Sequence, residues 1–187
     1  NIGNPTVHLL SPTHNNYTNS SQINFTYIPS SNISLTNCSL RGNFNGSYGI
    51  NQTNSSLVSG ENAFGLALDD GTYSWAVSCY DAEAKNSITG NRTFIVDLIA
   101  PTVSTMESVG GDVASGDVTF KYNVTDTNPT TCEFKITSTG SGTIVFSQDV
   151  SNCKNIVVTF TTSLAAGAYQ SNFVAQDSAG NSRTQQS

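Results

Sequence analysis

The sequence predicts an all-β chain built as two tandem β-sandwiches with almost no helix. Three observations carry this. A strand pattern is written twice: Gly71, Tyr73 and Asp81 are echoed by Gly167, Tyr169 and Asp177, each Asp opening a short polar turn. Apolar residues alternate with polar ones at period two, as in Tyr73, Trp75, Val77 and Cys79, which is the signature of a half-buried strand. No stretch sustains an apolar period of 3.6 residues, and Gly/Asn turns punctuate the chain every 8–12 residues or so, the spacing of a sandwich.

The first domain is expected over residues 1–97. Pro5–Pro12 reads as a strand bounded by prolines, which edge strands and strand ends tolerate because proline has no N–H to donate. Thr13–Ser21 reads as a polar loop. Gln22–Tyr27 presents Ile23, Phe25 and Tyr27 on one face, and Ser34–Arg41 presents Thr36, Cys38 and Leu40. Residues 42–61 are rich in Asn, Gly and Ser, with a weak strand near Tyr48–Ile50. Asn62–Leu68 turns Phe64, Leu66 and Leu68 inward. The duplicated strand follows, then the turn Asp81–Asn86. Asn91–Asp97 closes the domain with Phe94 and Val96 inward.

The second domain is expected over residues 98–187. Pro101-Thr102-Val103 repeats Pro5-Thr6-Val7, which leaves a linker of about three residues and a semi-rigid pair of domains. Val118, Phe120 and Tyr122 match Ile23, Phe25 and Tyr27, and Cys132 matches Cys38. Thr143–Val150 and Ile156–Thr161 are middle strands, and Tyr169–Ala175 is the duplicated strand. Aligning Asn86 with Asn181 sets Ser187 opposite Arg92, so nothing matches Phe94–Val96. The last strand is therefore expected to be incomplete. The edge beside Tyr169–Ala175 should then be bare, with the closing strand supplied by a continuation of the chain past Ser187, or be filled by a strand from another chain, as in strand donation.

Composition excludes several functions. The chain has 187 residues, a net charge of −6 and seven Lys or Arg, so it lacks the basic clusters that displace phosphate counterions from nucleic acid. Its apolar runs are too short to span a membrane as a helix. The four cysteines show no Cys-x-x-Cys spacing, and two disulfides are the default in a secreted β-protein. Of the three pairings, Cys38 with Cys79 and Cys132 with Cys153 keep each bond within its repeat. Four buried free thiols are the alternative. Cys79 aligns with Ala175, so the two domains cannot be stapled in the same way.

Gly-x-Tyr, an alternating strand and Asp-Ser-Ala-Gly-Asn together resemble the immunoglobulin-like repeats of prokaryotic cell-surface proteins, and the resemblance covers most of both domains. It implies tandem immunoglobulin-like β-sandwiches and an extracellular place at the cell surface. Tyr73 and Tyr169 are similar to the tyrosine corner of such domains. Tyr73 lies farther from Cys79 than the corner tyrosine of an antibody domain does from its cysteine.

Asn-x-Ser/Thr acceptors for N-linked glycans occur at Asn16, Asn19, Asn24, Asn32, Asn37, Asn45, Asn51, Asn54, Asn91 and Asn123. Composition alone predicts about four in the first domain and about two in the second; nine and one are present. Asn24, Asn37 and Asn123 each sit between inward-facing residues, so parity points them outward. None has Asp or Glu two residues upstream, which the bacterial rule usually wants, and the resemblance then tips the expectation to an archaeal protein.

No nucleophile–base motif, phosphate loop or His-Glu-x-x-His is present. The two histidines, His8 and His14, lie in or beside the first strand, and His8 alternates outward. A non-enzymatic structural glycoprotein follows: a stalk, or the repeating subunit of a surface filament, contacting other copies of itself through its less glycosylated second domain. The rivals are an adhesin or carbohydrate-binding module and an accessory region of a surface hydrolase. The only tryptophan, Trp75, is buried by parity, which removes the best sugar-stacking residue. Asp69, Asp70 and Asp97 at one pole of the first domain, with Asp126 and Asp177 in turns of the second, are oxygen ligands suited to calcium between the domains. The plainer explanation is that acidic residues favour turns.

Overall fold

The computed structural model describes residues 3–107 and 111–187, and among these every regular element is a strand. The chain divides into two compact units, Asn1–Leu98 and Ile99–Ser187.

The first unit contains β1 (Thr6–Ser11), β2 (Asn16–Thr18), β3 (Gln22–Ser30), β4 (Leu35–Gly42), β5 (Gly49–Asn54), β6 (Asn62–Ala67), β7 (Gly71–Asp81), β8 (Asn86–Ile88) and β9 (Arg92–Val96). One sheet runs β1-β3-β6. The other runs β2-β9-β7-β4-β5, with β8 also on β7. The core between them follows from the period-two pattern: Phe25, Tyr27, Leu40, Trp75, Val77 and Phe94 are fully buried. Phe25 meets the edge of Trp75 at 5.1 Å between ring centres and that of Phe94 at 5.7 Å. Each large side chain withdrawn from water contributes about 1.5–3 kcal/mol.

Three details differ from the sequence expectation. The loop 13–21 holds β2, which pairs parallel with β9. A three-residue strand has no periodicity to read; its pairing is set by backbone groups, Asn15 N–H donating to Thr93 O and Asp97 N–H to Thr18 O. Thr36 is exposed, because the β4–β7 ladder shifts register between Leu35 and Asn37; its hydroxyl donates to Tyr80 O at 3.1 Å. Ala76 and Ser78 are buried although they alternate with the core residues. They lie on a central strand, where side chains this small expose little.

The second unit contains β10 (Thr102–Glu107), β11 (Gly111–Val113), β12 (Gly116–Thr125), β13 (Thr130–Ser138), β14 (Ile144–Val150), β15 (Ile156–Leu164), β16 (Gly167–Asp177) and β17 (Ser182–Gln186). Its sheets run β10-β12-β15 and β11-β16-β13-β14, with β17 also on β16. Tyr122 stacks on Phe173 at 4.3 Å and Phe134 on Phe160 at 4.5 Å, which locks the two sheets together.

The expectation of a bare or externally completed edge on β16 is overturned. β17 pairs Asn172–Gln176, and β11 pairs Gly167–Tyr169. Ser171 and Ser187 exchange two further backbone hydrogen bonds between these stretches. In the first unit β8 and β9 take the matching places on β7. An edge full of unpaired N–H and C=O groups recruits whatever backbone reaches it, and here a segment from the start of the unit does so. Alignment to the first repeat could not show that, because β11 has no counterpart on β7. Strand donation into this edge is therefore not what completes the sheet.

Candidate functional site

The duplicated motif is a duplicated hydrogen-bond network. The Tyr73 hydroxyl donates to Asp69 O and the Tyr169 hydroxyl to Ala165 O, both at 3.0 Å and both four residues upstream. A Cβ on Gly71 or Gly167 would meet its tyrosine side chain at 3.3 Å, so glycine lets each ring fold back over its own strand. The turns repeat as well. Asp81 Oδ1 accepts from Glu83 N–H and Lys85 N–H, and Asp177 Oδ1 accepts from Ala179 N–H and Asn181 N–H. These aspartates shape turns.

The staples differ between the units. Cys38 and Cys79 are bonded, and they lie directly opposite each other on β4 and β7 of one sheet. In the second unit Cys132 faces Ala175 in the same register but is bonded to Cys153, in the loop between β14 and β15. There are no free cysteines.

None of the ten acceptor asparagines is buried. Asn16, Asn19, Asn24, Asn32, Asn45 and Asn91 are exposed; Asn37, Asn51, Asn54 and Asn123 are half-buried. In the first unit they occupy strands of both sheets and the connecting turns. Three already hold local partners: Asn37 Nδ2 donates to the Thr36 hydroxyl, Asn54 Oδ1 accepts from Ser56 N–H, and Asn91 Oδ1 accepts from the Tyr48 hydroxyl.

Asp70 Oδ1 accepts from Leu98 N–H at 2.5 Å, and Asp97 is buried with its N–H on Thr18 O. Together with Asp69 and burial, Asp70 acts on Tyr73: burial, then Asp69, then Asp70 push the phenol above its ordinary value of 10.0. In the second unit, Asp126 and Asp177 bring carboxylate oxygens within 4.8 Å of each other. Asp126 Oδ1 also accepts from Asn128 N–H at 2.7 Å. His8 is exposed on β1, and His14 Nδ1 accepts from Thr93 N–H at 3.0 Å. A cleft of about 520 Å³ in the second unit is lined by Thr131, Glu133, Asp149, Val174 and Gln176.

Sequence reasoning missed Arg92. Its guanidinium donates to the carbonyls of Leu9, Leu10 and Pro12 and ties β9 to the end of β1. The available signal was a basic residue, one of seven, inside a predicted strand.

Both units thus have the fold of tandem immunoglobulin-like or fibronectin III-like sandwiches. Solved structures agree at the level of fold. The fibronectin(III)-like modules of Clostridium thermocellum CbhA match with a TM-score of 0.55 at 12% identity, over 97% of this chain and 91% of that one. A stretch of titin domains matches with a TM-score of 0.56 at 10% identity, over 100% of this chain and 66% of that one. No protein-family model and no curated protein matches the chain. Among the described residues no helix is long and apolar enough to cross a membrane.

Proposed function

We propose that this chain is a non-enzymatic, extracellular structural glycoprotein, working as a stalk or as the repeating subunit of a cell-surface filament. The observation that carries the reading is the placement of the glycan acceptors. All nine in the first unit are exposed or half-buried, and they spread over both of its sheets, whereas the second unit has one. A sandwich coated on every side is a spacer; a nearly bare one is where close contact can form. The two disulfides support an oxidising compartment, and the resemblance to prokaryotic surface repeats supports an archaeal surface. Subunit contacts then fall on the second unit.

Intact mass and glycopeptide mapping of native material test this. Masses well above 19.8 kDa, with modified peptides from residues 1–97, are expected. Unmodified peptides spanning Asn24 and Asn37 would sink the coated-spacer reading. Negative-stain images of the same material should show fibres. The rival reading, a carbohydrate- or partner-binding module, has the cleft beside Cys132 as its candidate place.

A further inference from the structure

We infer that strand β15 is a self-association edge, pairing antiparallel with β15 of a second copy of this chain. The inference rests on the assembly reading above and names one of its contacts, a closed two-fold one that joins copies in pairs.

β15 is the longest strand at a sheet edge among the described residues. It pairs with β12 over nine consecutive positions, Gly116↔Leu164 to Val124↔Ile156, without a register shift. Among the described residues its other side pairs with no strand. The sequence IVVTFTTSL is rich in β-branched residues and holds no proline, glycine or charge. Proteins usually blunt such an edge with lysine, proline, a bulge or a cover; β15 has no lysine, no proline and no bulge, and no strand among the described residues lies over it. Ile156 and Val157 remain 43% and 49% exposed.

The corresponding edge of the first unit, β6, is blunted. It has six residues, including Gly65. The Gln52 side chain reaches from β5 and donates to Gly65 O at 2.9 Å, occupying one of the edge carbonyls. β5 itself carries the acceptors Asn51 and Asn54. β14, the matching strand of the second unit, has no acceptor and exposes Ile144 and Val145.

Charge and register select a second copy as the occupant. Each chain carries a net −6, so copies repel over most of their surface; a neutral edge is where that repulsion is least. A two-fold axis at Phe160 overlaps all nine residues. It sets Ile156 against Leu164 and Val158 against Thr162 on the core-facing side. On the solvent side it sets Val157 against Ser163 and Thr159 against Thr161. Threonine pairs and β-branched pairs are favourable cross-strand neighbours, and no like charges meet. The acceptor Asn123, beside Val157 in the ladder, projects from the sheet face rather than along the pairing direction.

The test is sedimentation equilibrium of the 187-residue chain over a concentration series, with three variants at exposed positions. The unmodified sequence should show a monomer–dimer equilibrium. Thr159→Lys with Thr161→Lys sets lysines against lysines twice and should weaken the dimer at least about tenfold; because Thr159 lies opposite Lys121 within the sheet, the melting temperature is measured alongside, and the next variant carries the same Thr159→Lys change as its control. Thr159→Lys with Thr161→Glu sets opposite charges together in this register and should restore it. Thr72→Lys, on the central strand β7, should change nothing. A monomer up to about 1 mM, or a dimer indifferent to the double lysine, overturns the inference. So does failure of the lysine–glutamate variant to restore what the double lysine breaks. Filaments that persist in the double-lysine variant overturn this edge and leave the assembly reading standing. A dimer that obeys the charge pattern in material that never forms filaments does the reverse.

Discussion

The two units use one strand plan and two ways of finishing it. In the first, the staple joins two neighbouring strands at directly opposed positions, Cys38 on β4 and Cys79 on β7. In the second, Ala175 stands where Cys79 would, and Cys132 reaches instead to a loop. The first unit closes its β7 edge with β8 and β9; the second closes β16 with β17 and β11. The conserved parts are those that shape the backbone locally, the tyrosine over its glycine and the aspartate in its turn. The parts that vary decide what each surface is left free to do.

The largest effects should come from the staples. By loop entropy, closing the 41-residue separation in the first unit contributes about 4 kcal/mol, and the 21-residue separation in the second about 3 kcal/mol. Replacing each pair by alanine should therefore destabilise its own unit by about these amounts. Trp75, fully buried in the first unit and the only tryptophan, reports that unit alone by fluorescence during urea unfolding; circular dichroism reports both. A sharper version moves the staple: Ala175→Cys with Cys153→Ala should form a bond from Cys132 to position 175, detectable by non-reducing peptide mapping. If position 175 stays a free thiol, the two units are less equivalent than their ladders indicate.

Alkaline pH should separate the units next. Burial raises the phenols of Tyr27 and Tyr122 above 10.0, opposed by the nearby Asn54 side chain in the first case and by the Ser171 and Ser187 hydroxyls in the second. Burial raises Tyr48 as well, against Arg41, and raises Tyr73 with help from Asp69 and Asp70. These groups stay neutral in the fold while the unfolded chain ionises. Their stabilising contribution is complete below pH 10 and is lost as pH rises through their folded values. Three of the four belong to the first unit, so Trp75 fluorescence should report unfolding at lower pH than the signals of the second unit. Simultaneous loss would show that the units unfold together. Tyr48, well exposed, counts least.

The tyrosine corners should respond equally. Tyr73→Phe and Tyr169→Phe each remove one hydrogen bond to a backbone carbonyl and should each cost about 1 kcal/mol, read as urea midpoints of the respective units. A corner that costs nothing would mean that its ring packing, rather than its hydroxyl, holds the loop.

What the sequence disclosed follows the same division. Strands with large alternating residues, such as β3, β7, β12 and β16, were legible because burial imposes a period on side chains. The outward parity of Asn24 and Asn123 was legible for the same reason. β2 and β11 were not, since three residues held by backbone hydrogen bonds leave no side-chain pattern. The edge of β16 was misjudged because one repeat served as the template for the other. Arg92 was overlooked because its partners are carbonyls, which every residue has. The neutrality of β15 was written in its residues; that its far side is unpaired is a property of topology alone.

The smallest effect lies in the turns, where the comparison can be made one atom at a time. Ala84 and Gly180 hold the same place, with φ of 59° and 94°. Glycine enters that left-handed region without cost, whereas alanine gives up about 1 kcal/mol or more there. Asp177 Oδ2 is held by Asn181 Nδ2 at 2.8 Å, while the buried Asp81 Oδ2 accepts no hydrogen bond; Lys85, in the place of Asn181, pairs with Glu83 at 2.8 Å. The turn of the first unit is thus the weaker copy. Ala84→Gly should stabilise the first unit by about 0.5 kcal/mol, the relief of strain less the added freedom of glycine in the unfolded chain. Gly180→Ala should cost the second unit about 1 kcal/mol. The fluorescence midpoint of Trp75 reads the first change and leaves the second silent. If Ala84→Gly lowers that midpoint, unfolded-state entropy outweighs the strain, and the two turns are equally good solutions to one bend.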